Sequence, residues 1–365
     1  MKWSNADHRY MAQAVQLARH GIYSTSPNPR VGCVIVNGSE VVGTGFHMKA
    51  GNDHAEIIAL QQAGIKAQGS TCYVTLEPCI HTGKTPPCTP ALISSGVVRV
   101  VAAMIDPNPR VNGKGLEQLN HIGIKAESGL LQKESVDLNA GFIKRMTRGM
   151  PHVRCKLASS IDGKIALANG NSKWISSEQS RLDVQRLRAE SCAIMTGIGT
   201  VLADDPLLTV RDFNTLGRQP LRVIMDRQLR MPVTVRLLGQ PGPVVLFTQS
   251  TDVARQEVLS AKGVKVVTIQ TGSFLKQSLG YLAEKYEINE VLVEAGPELS
   301  GALIDAGLVD ELIVYQAPVL LGNKSRSMLA LPEYTQLAES ISMTLSECRQ
   351  IGGDLRIHYR LNQIG

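Results

Sequence analysis

His54-Ala55-Glu56-Ile57-Ile58-Ala59-Leu60, then Thr71-Cys72-Tyr73-Val74-Thr75-Leu76-Glu77-Pro78-Cys79, then Ile80-His81-Thr82-Gly83-Lys84-Thr85-Pro86-Pro87-Cys88, is the stretch on which the reading of this chain turns. It passes from an apolar-periodic helix through a β-rich run into a loop broken by Gly and Pro. One imidazole and two thiolates suit a borderline-soft divalent cation such as zinc, and three protein ligands leave a fourth tetrahedral position for water. Glu56, two residues beyond His54, need not ligate and is free to move protons beside the metal. A lone His-Ala-Glu is more often one solvated helical turn. Pro78-Cys79 behind a strand, followed by a second Cys, reverses that balance. Eight residues separate Cys79 from Cys88, where a C-x-x-C pair is the commoner arrangement. Spacing alone leaves two options: the loop detours so that both thiols meet, or Cys88 is not a ligand.

Outward from this stretch the chain reads as α/β. Residues 7–20 carry Met11, Ala14, Val15 and Ala18 at helical spacing, with Gly21 as the stop. Asn37-Gly38 between Val31–Val36 and Val41–Met48 is a hairpin signal. Helix 54–63 precedes strand 71–76, and residues 90–96 begin the connection to strand 97–104. The loop Asp106-Pro107-Asn108-Pro109-Arg110 leads to another helix and a short strand, and 132–146 closes the unit. Short apolar strands separated by helices imply a sheet covered on its faces. The boundary falls in 147–151, giving domains 1–147 and 152–365. In the second, strands are expected at 153–158, 193–196, 221–225, 244–248, 264–269 and 290–293, a helix at 177–189, and a closing antiparallel pair, 343–349 and 355–361. Ser159 to Lys164 and Thr200 to Pro206 read as polar loops. Gly296-Pro297-Glu298-Leu299-Ser300-Gly301 follows a strand and opens a helix, a ready anion site, although it is not the G-x-G-x-x-G of a Rossmann fold.

Composition narrows the function classes. At 365 residues and 43% hydrophobic content the chain is long enough for two folded cores. No apolar run approaches the ~18 residues that span a bilayer, and the polar start lacks the apolar core of a secretion signal. Seven scattered cysteines fit reduced thiols in a cytoplasm better than a disulfide framework. A net charge of +6 without a basic block permits nucleic acid but does not imply it, and aromatics are only 4%, whereas single-strand binders stack bases on aromatic platforms. A small phosphorylated substrate accounts equally well for the dispersed Arg and Lys.

H-x-E followed by P-C is the signature of zinc deaminases. Together, HAEIIAL at 54–60, TLEPCIHTGKTPPC at 75–88 and DPNPRVNGKG at 106–115 resemble the bifunctional riboflavin-biosynthesis enzymes, a pyrimidine deaminase joined to a reductase. That family has the same widened cysteine spacing. The resemblance covers nearly the whole chain and implies a cytidine-deaminase-like three-layer domain followed by a dihydrofolate-reductase-like mixed-sheet domain. It implies Zn2+ on His54, Cys79 and Cys88, Glu56 as acid and base, and Asn28, His47, His81 and Lys84 on the substrate. In the second domain it carries Ala158, Trp174, Thr200, Asp204 and the segment Gly296 to Ala302 to NADPH. Ser172, Arg188, Leu207 and Arg211 go to the sugar phosphate and Glu294 to the substrate. Lys156, on the first strand of that domain, is placed to polarise the sugar carbon that accepts hydride. The expected assembly is a homodimer in the cytoplasm, with neither nucleic acid nor membrane as partner. Two rivals stand beside this reading. A nucleoside- or tRNA-editing deaminase would need no second domain of this size, and a purely structural zinc module usually has four protein ligands.

Overall fold

The computed structural model describes residues 3–83, 85–172 and 174–362, and the chain divides into two compact units, Met1–Met150 and Pro151–Gly365.

In the first unit the elements run α1 (Asn5–Arg19), β1 (Gly32–Asn37), β2 (Glu40–Phe46), α2 (Ala55–Ala63), β3 (Thr71–Val74), α3 (Cys88–Ser94), β4 (Arg99–Ala102), α4 (Lys114–His121), β5 (Lys125–Ser128), α5 (Gln132–Leu138) and α6 (Ala140–Arg148). The sheet order is β2-β1-β3-β4-β5. The β2-β1-β3 pairings are antiparallel, and β3, β4 and β5 are parallel. Period-2 alternation sends Val34 and Val36 to one face, against Tyr10, Met11 and Ala14 of α1. Cys33 and Ile35 go to the other, against Ala55, Ala59 and Ala63 of α2 with Leu92 and Leu119. Three layers result. Gly45 on β2 lets α2 lie close, since a Cβ there would stand 2.3 Å from the Ala55 carbonyl oxygen. Residues 132–148 hold two helices, α5 and α6, and between them the Asn139 side chain accepts from Arg30 N–H (2.8 Å) and donates to Arg30 C=O (3.0 Å).

The second unit runs β6 (His152–Ser160), β7 (Lys164–Ala166), α7 (Glu178–Glu190), β8 (Ala193–Gly197), α8 (Ile198–Asp204), β9 (Leu221–Met225), β10 (Val244–Thr248), α9 (Val253–Ser260), β11 (Val264–Thr268), α10 (Phe274–Lys285), β12 (Glu290–Val293), α11 (Pro297–Asp305), β13 (Glu311–Ala317), β14 (Arg326–Ser327), β15 (Met343–Ile351) and β16 (Asp354–Leu361). Nine strands in the order β11-β10-β9-β8-β12-β6-β13-β16-β15 make a sheet that is parallel as far as β13 and antiparallel at β16 and β15. This is the expected dihydrofolate-reductase-like mixed sheet. The structure corrects the sequence reading in three places. Glu311–Ala317, not anticipated, is a central strand whose apolar run is buried. Residues 198–204 are a helix, not a loop; it stops where Asp205 turns left-handed at φ 40°. Ser159 and Ser160 lie on β6 instead of beyond it.

Candidate active sites

The first site gathers at the C-terminal ends of parallel β3 and β4, where open α/β sheets hold their ligands. His54 is the N-cap residue of α2, with extended backbone and no side-chain capping bond, so its imidazole is free to face elsewhere. Its Nδ1 lies 3.2 Å from Cys88 Sγ and 3.6 Å from Cys79 Sγ. The loop does detour: it returns to place Cys88 at the start of α3, with the Cys88 N–H donating to the Cys79 carbonyl (3.1 Å) and sulfur (3.3 Å). All three ligand atoms fall within 4.8 Å of one another, the one such cluster among the described residues. Tetrahedral zinc with S and N bonds of about 2.3 and 2.0 Å sets N···S edges near ~3.5 Å, so the spacing fits this ion. The charges fit it as well. A hydrogen bond from the Cys88 thiol brings Cys79 down to about 4, and the same bond, with burial, drives Cys88 up. A dication bound between them would favour both sulfurs as thiolates.

Glu56 stands in the first turn of α2, 4% exposed, where burial raises its carboxyl above the usual range despite the opposing pull of His54. The ring of His47 meets that of His54 edge to face, 5.3 Å between centroids. Its Nδ1 is 3.1 Å from the Asp53 carbonyl and its Nε2 3.0 Å from Asn28 Nδ2. Burial lowers the His47 pKa, which favours the neutral ring. Nδ1–H donates to Asp53, and Nε2 accepts from the Asn28 amide. His81 is half-buried on the loop, with its Nδ1 shielded from solvent and without a protein partner. Lys84 lies outside the described residues.

Two residues of this site escaped sequence reasoning. Glu77, 3% exposed, accepts four backbone N–H groups: Asp106 (3.0 Å) and Gly113 (2.8 Å) on Oε2, Gly115 (2.8 Å) and Leu116 (3.3 Å) on Oε1. It ties the 106–115 segment to the cysteine loop. Gly115 is required there, because a Cβ would sit 2.2 Å from the Pro78 carbonyl. Asp106 is itself buried, and burial with the nearby charges of Glu77 and Cys79 raises its carboxyl to about 7.

The second site is a cleft of about 2030 Å³ in the second unit. Lys156, Ala158, Ser172, Trp174, Arg188, Thr200, Asp204, Leu207, Arg211, Glu294, Gly296 to Leu299 and Ala302 all line it. Ser300 and Gly301 do not. The Ser300 hydroxyl turns back to the Ala295 carbonyl, and Gly301 packs so tightly on Ala330 that a Cβ would meet its carbonyl oxygen at 2.0 Å. Arg188 reaches a carboxylate of the same cleft. Its Nε and Nη2 fork onto Glu294 Oε1 (2.5 Å) and Oε2 (3.0 Å), while Nη1 donates to the Thr209 carbonyl (3.1 Å). A guanidinium so employed holds the carboxylate bidentately at the wall of the cleft. Burial alone would raise the Glu294 pKa, but Arg188 and, behind it, Lys156 outweigh burial and keep it ionised. Burial lowers Lys156, with Glu294 opposing. At the N-terminus of α11, Gly296 provides no side-chain cap. The cleft thus opens on a helix end suited to a dinucleotide's phosphates, and its volume suits NADPH.

Comparison with known proteins bears on both sites. Residues 4–104 match the cytidine and deoxycytidylate deaminase zinc-binding region, and residues 151–357 match the RibD C-terminal domain. The riboflavin biosynthesis protein RibD of Escherichia coli K12 is 47% identical over 363 residues, covering 96% of this chain and 98% of that protein. The Haemophilus influenzae RibD is 46% identical over 370 residues, covering 98% of each. Among solved structures, Acinetobacter baumannii RibD superposes with a TM-score of 0.92 at 45% identity, covering 98% of this chain and 99% of that one. A diaminohydroxyphosphoribosylaminopyrimidine deaminase/5-amino-6-(5-phosphoribosylamino)uracil reductase from Thermotoga maritima gives 0.87 at 32% identity, with the same coverage.

Proposed function

This chain belongs to the RibD family of riboflavin biosynthesis proteins, and from that premise we propose which of its residues carry each of the family's two reactions. It is a bifunctional enzyme of riboflavin biosynthesis, a zinc-dependent deaminase and an NADPH-dependent reductase. The first reaction removes the 2-amino group of 2,5-diamino-6-ribosylamino-4(3H)-pyrimidinone 5′-phosphate. The second reduces the ribosyl group of 5-amino-6-(5-phosphoribosylamino)uracil to ribityl. We assign the deaminase to residues 1–147 and the reductase to 152–365, in keeping with the residues that each family matches.

In the deaminase, His54 Nδ1 and the sulfurs of Cys79 and Cys88 hold zinc. Zinc held there would bring the pKa of a coordinated water toward neutrality and so supply the nucleophile without a strong base. Glu56 takes a proton from water onto its carboxylate and returns it to the departing amine, so that the C–N bond breaks with release of ammonia and a C=O replaces it. Burial, by raising the Glu56 pKa, brings it toward the range where both transfers are possible. Asn28 and neutral His47 orient the pyrimidine. We assign His81 and Lys84, on the loop between the two cysteines, to its phosphate.

In the reductase, NADPH supplies hydride. The uncapped start of α11 with Ala158, Trp174, Thr200 and Asp204 receives the cofactor, and Ser172, Leu207 and Arg211 receive the sugar phosphate. Arg188 fixes Glu294 against the substrate, and Lys156 Nζ holds a proton beside the carbon that is reduced. The convergence of His54, Cys79 and Cys88 with a buried Glu56 is the observation that carries the assignment. Removal of zinc with a chelator should abolish ammonia release and leave NADPH oxidation on the deaminated substrate intact, and added zinc should restore the first. Ammonia release that survives complete removal of metal would overturn the metal role.

We also propose a cytoplasmic homodimer. Ligation requires Cys79 and Cys88 as thiolates, which favours a reducing compartment. No helix among the described residues is long and apolar enough to cross a membrane. β15 is exposed along all but its last residue and presents Met343 and Leu345 on the edge of the sheet. An uncovered edge of that length favours pairing with a second copy. Light scattering should give twice the chain mass for the wild type and the monomer mass for Leu345→Lys; a monomeric wild type would contradict the pairing.

A further inference from the structure

The eight-residue excursion between Cys79 and Cys88 does more than bring two thiols together. Both sulfurs face the same nitrogen of His54, Nδ1, at 3.2 and 3.6 Å. The other ring nitrogen, Nε2, lies 3.1 Å from the hydroxyl of Thr85, which the excursion carries across the imidazole. Its own backbone fixes Thr85 in place, since the Thr85 carbonyl accepts from the Gly83 N–H at 3.1 Å. A histidine that ligates through Nδ1 must keep its hydrogen on Nε2, and that N–H needs an acceptor once it is buried. Outer partners of this kind hold the ligand's tautomer and ring orientation and raise its basicity.

We infer that Thr85 is a positioning residue of the zinc site, accepting a hydrogen bond from His54 Nε2–H and so presenting Nδ1 to the metal. This rests on the reading of His54, Cys79 and Cys88 as zinc ligands. It also gives the widened cysteine spacing a physical purpose. A two-residue link would hold the thiols together as well, but it would leave no chain to reach the far side of the imidazole.

The test measures zinc affinity of the full chain by competition with a chromophoric chelator, for wild type, Thr85→Val and Thr85→Ser. Valine keeps the shape and loses the acceptor, whereas serine keeps the acceptor. The expected result is a weakening of about ten- to a hundredfold for Thr85→Val and near wild-type affinity for Thr85→Ser. NADPH oxidation on the deaminated substrate should be equal in all three, which reports an intact fold. Thr85→Val binding zinc within twofold of wild type, or Thr85→Ser losing as much as Thr85→Val, would overturn the inference. If Thr85→Val fails to fold, Thr85→Ala is judged by the same criterion. A wild type that binds no zinc would instead overturn the underlying metal site.

Discussion

Glu56→Ala should release ammonia from the diaminopyrimidinone ribotide 10²- to 10⁴-fold more slowly than the wild type, the range expected when a positioned acid and base is lost. Its zinc content should be unchanged. Glu56 is not among the three atoms that cluster for the metal, yet it is buried in the first turn of the helix that His54 caps, and its carboxyl lies in the field of His54 and Cys79. Cys79→Ser should behave differently, losing zinc and ammonia release together. The contrast separates a proton carrier from a ligand. Reduction of the deaminated substrate should be normal in both variants. Equal ammonia release by Glu56→Ala and wild type would remove Glu56 from the chemistry.

Lys156→Met should lower reductase turnover by a comparable factor while ammonia release stays at the wild-type rate. The side chain projects from β6 into the cleft, opposite the carboxylate that Arg188 grips. Methionine keeps much of the stem and removes the proton. Because burial pulls Lys156 below the ordinary lysine range, wild-type turnover should decline on the alkaline side at a pH lower than a solvated lysine would give. Glu294 favours the charged ammonium, so Glu294→Gln should move that decline to still lower pH. Undiminished turnover in Lys156→Met, or an alkaline limb that persists unchanged in it, would take the proton away from this residue.

How much of this could be read in the sequence differs between the two sites for a physical reason. His54, Glu56, Cys79 and Cys88 lie within 35 consecutive residues, and their order on a helix, behind a strand and at a helix start is a local signal. Spacing could not decide whether Cys88 ligates, because that depends on the path of a loop. Glu77 was invisible because its partners are backbone amides 29 to 39 residues away, which carry no side-chain signature. The reductase cleft is assembled at longer range. Arg188 and Glu294 are 106 residues apart, and in sequence Arg188 reads as a phosphate ligand as readily as a partner for a carboxylate. The same holds for the fold. Glu311–Ala317 is a run too short to separate by periodicity from a buried helix segment, and only its place between β6 and β16 makes it a strand. Ala203-Asp204-Asp205-Pro206 has the composition of a turn, which hid the helix that ends there.

The central claim is that one chain carries two separately working sites, acting in the order deamination and then reduction. Mixing the two variants tests it most directly. Glu56→Ala alone and Lys156→Met alone, each given the diaminopyrimidinone ribotide and NADPH, should oxidise almost no NADPH. Together they should oxidise it steadily, because Lys156→Met releases the deaminated intermediate and Glu56→Ala reduces it. NADPH oxidation by Glu56→Ala alone, or a mixture as inert as its parts although each variant retains its own half-reaction, would contradict the account.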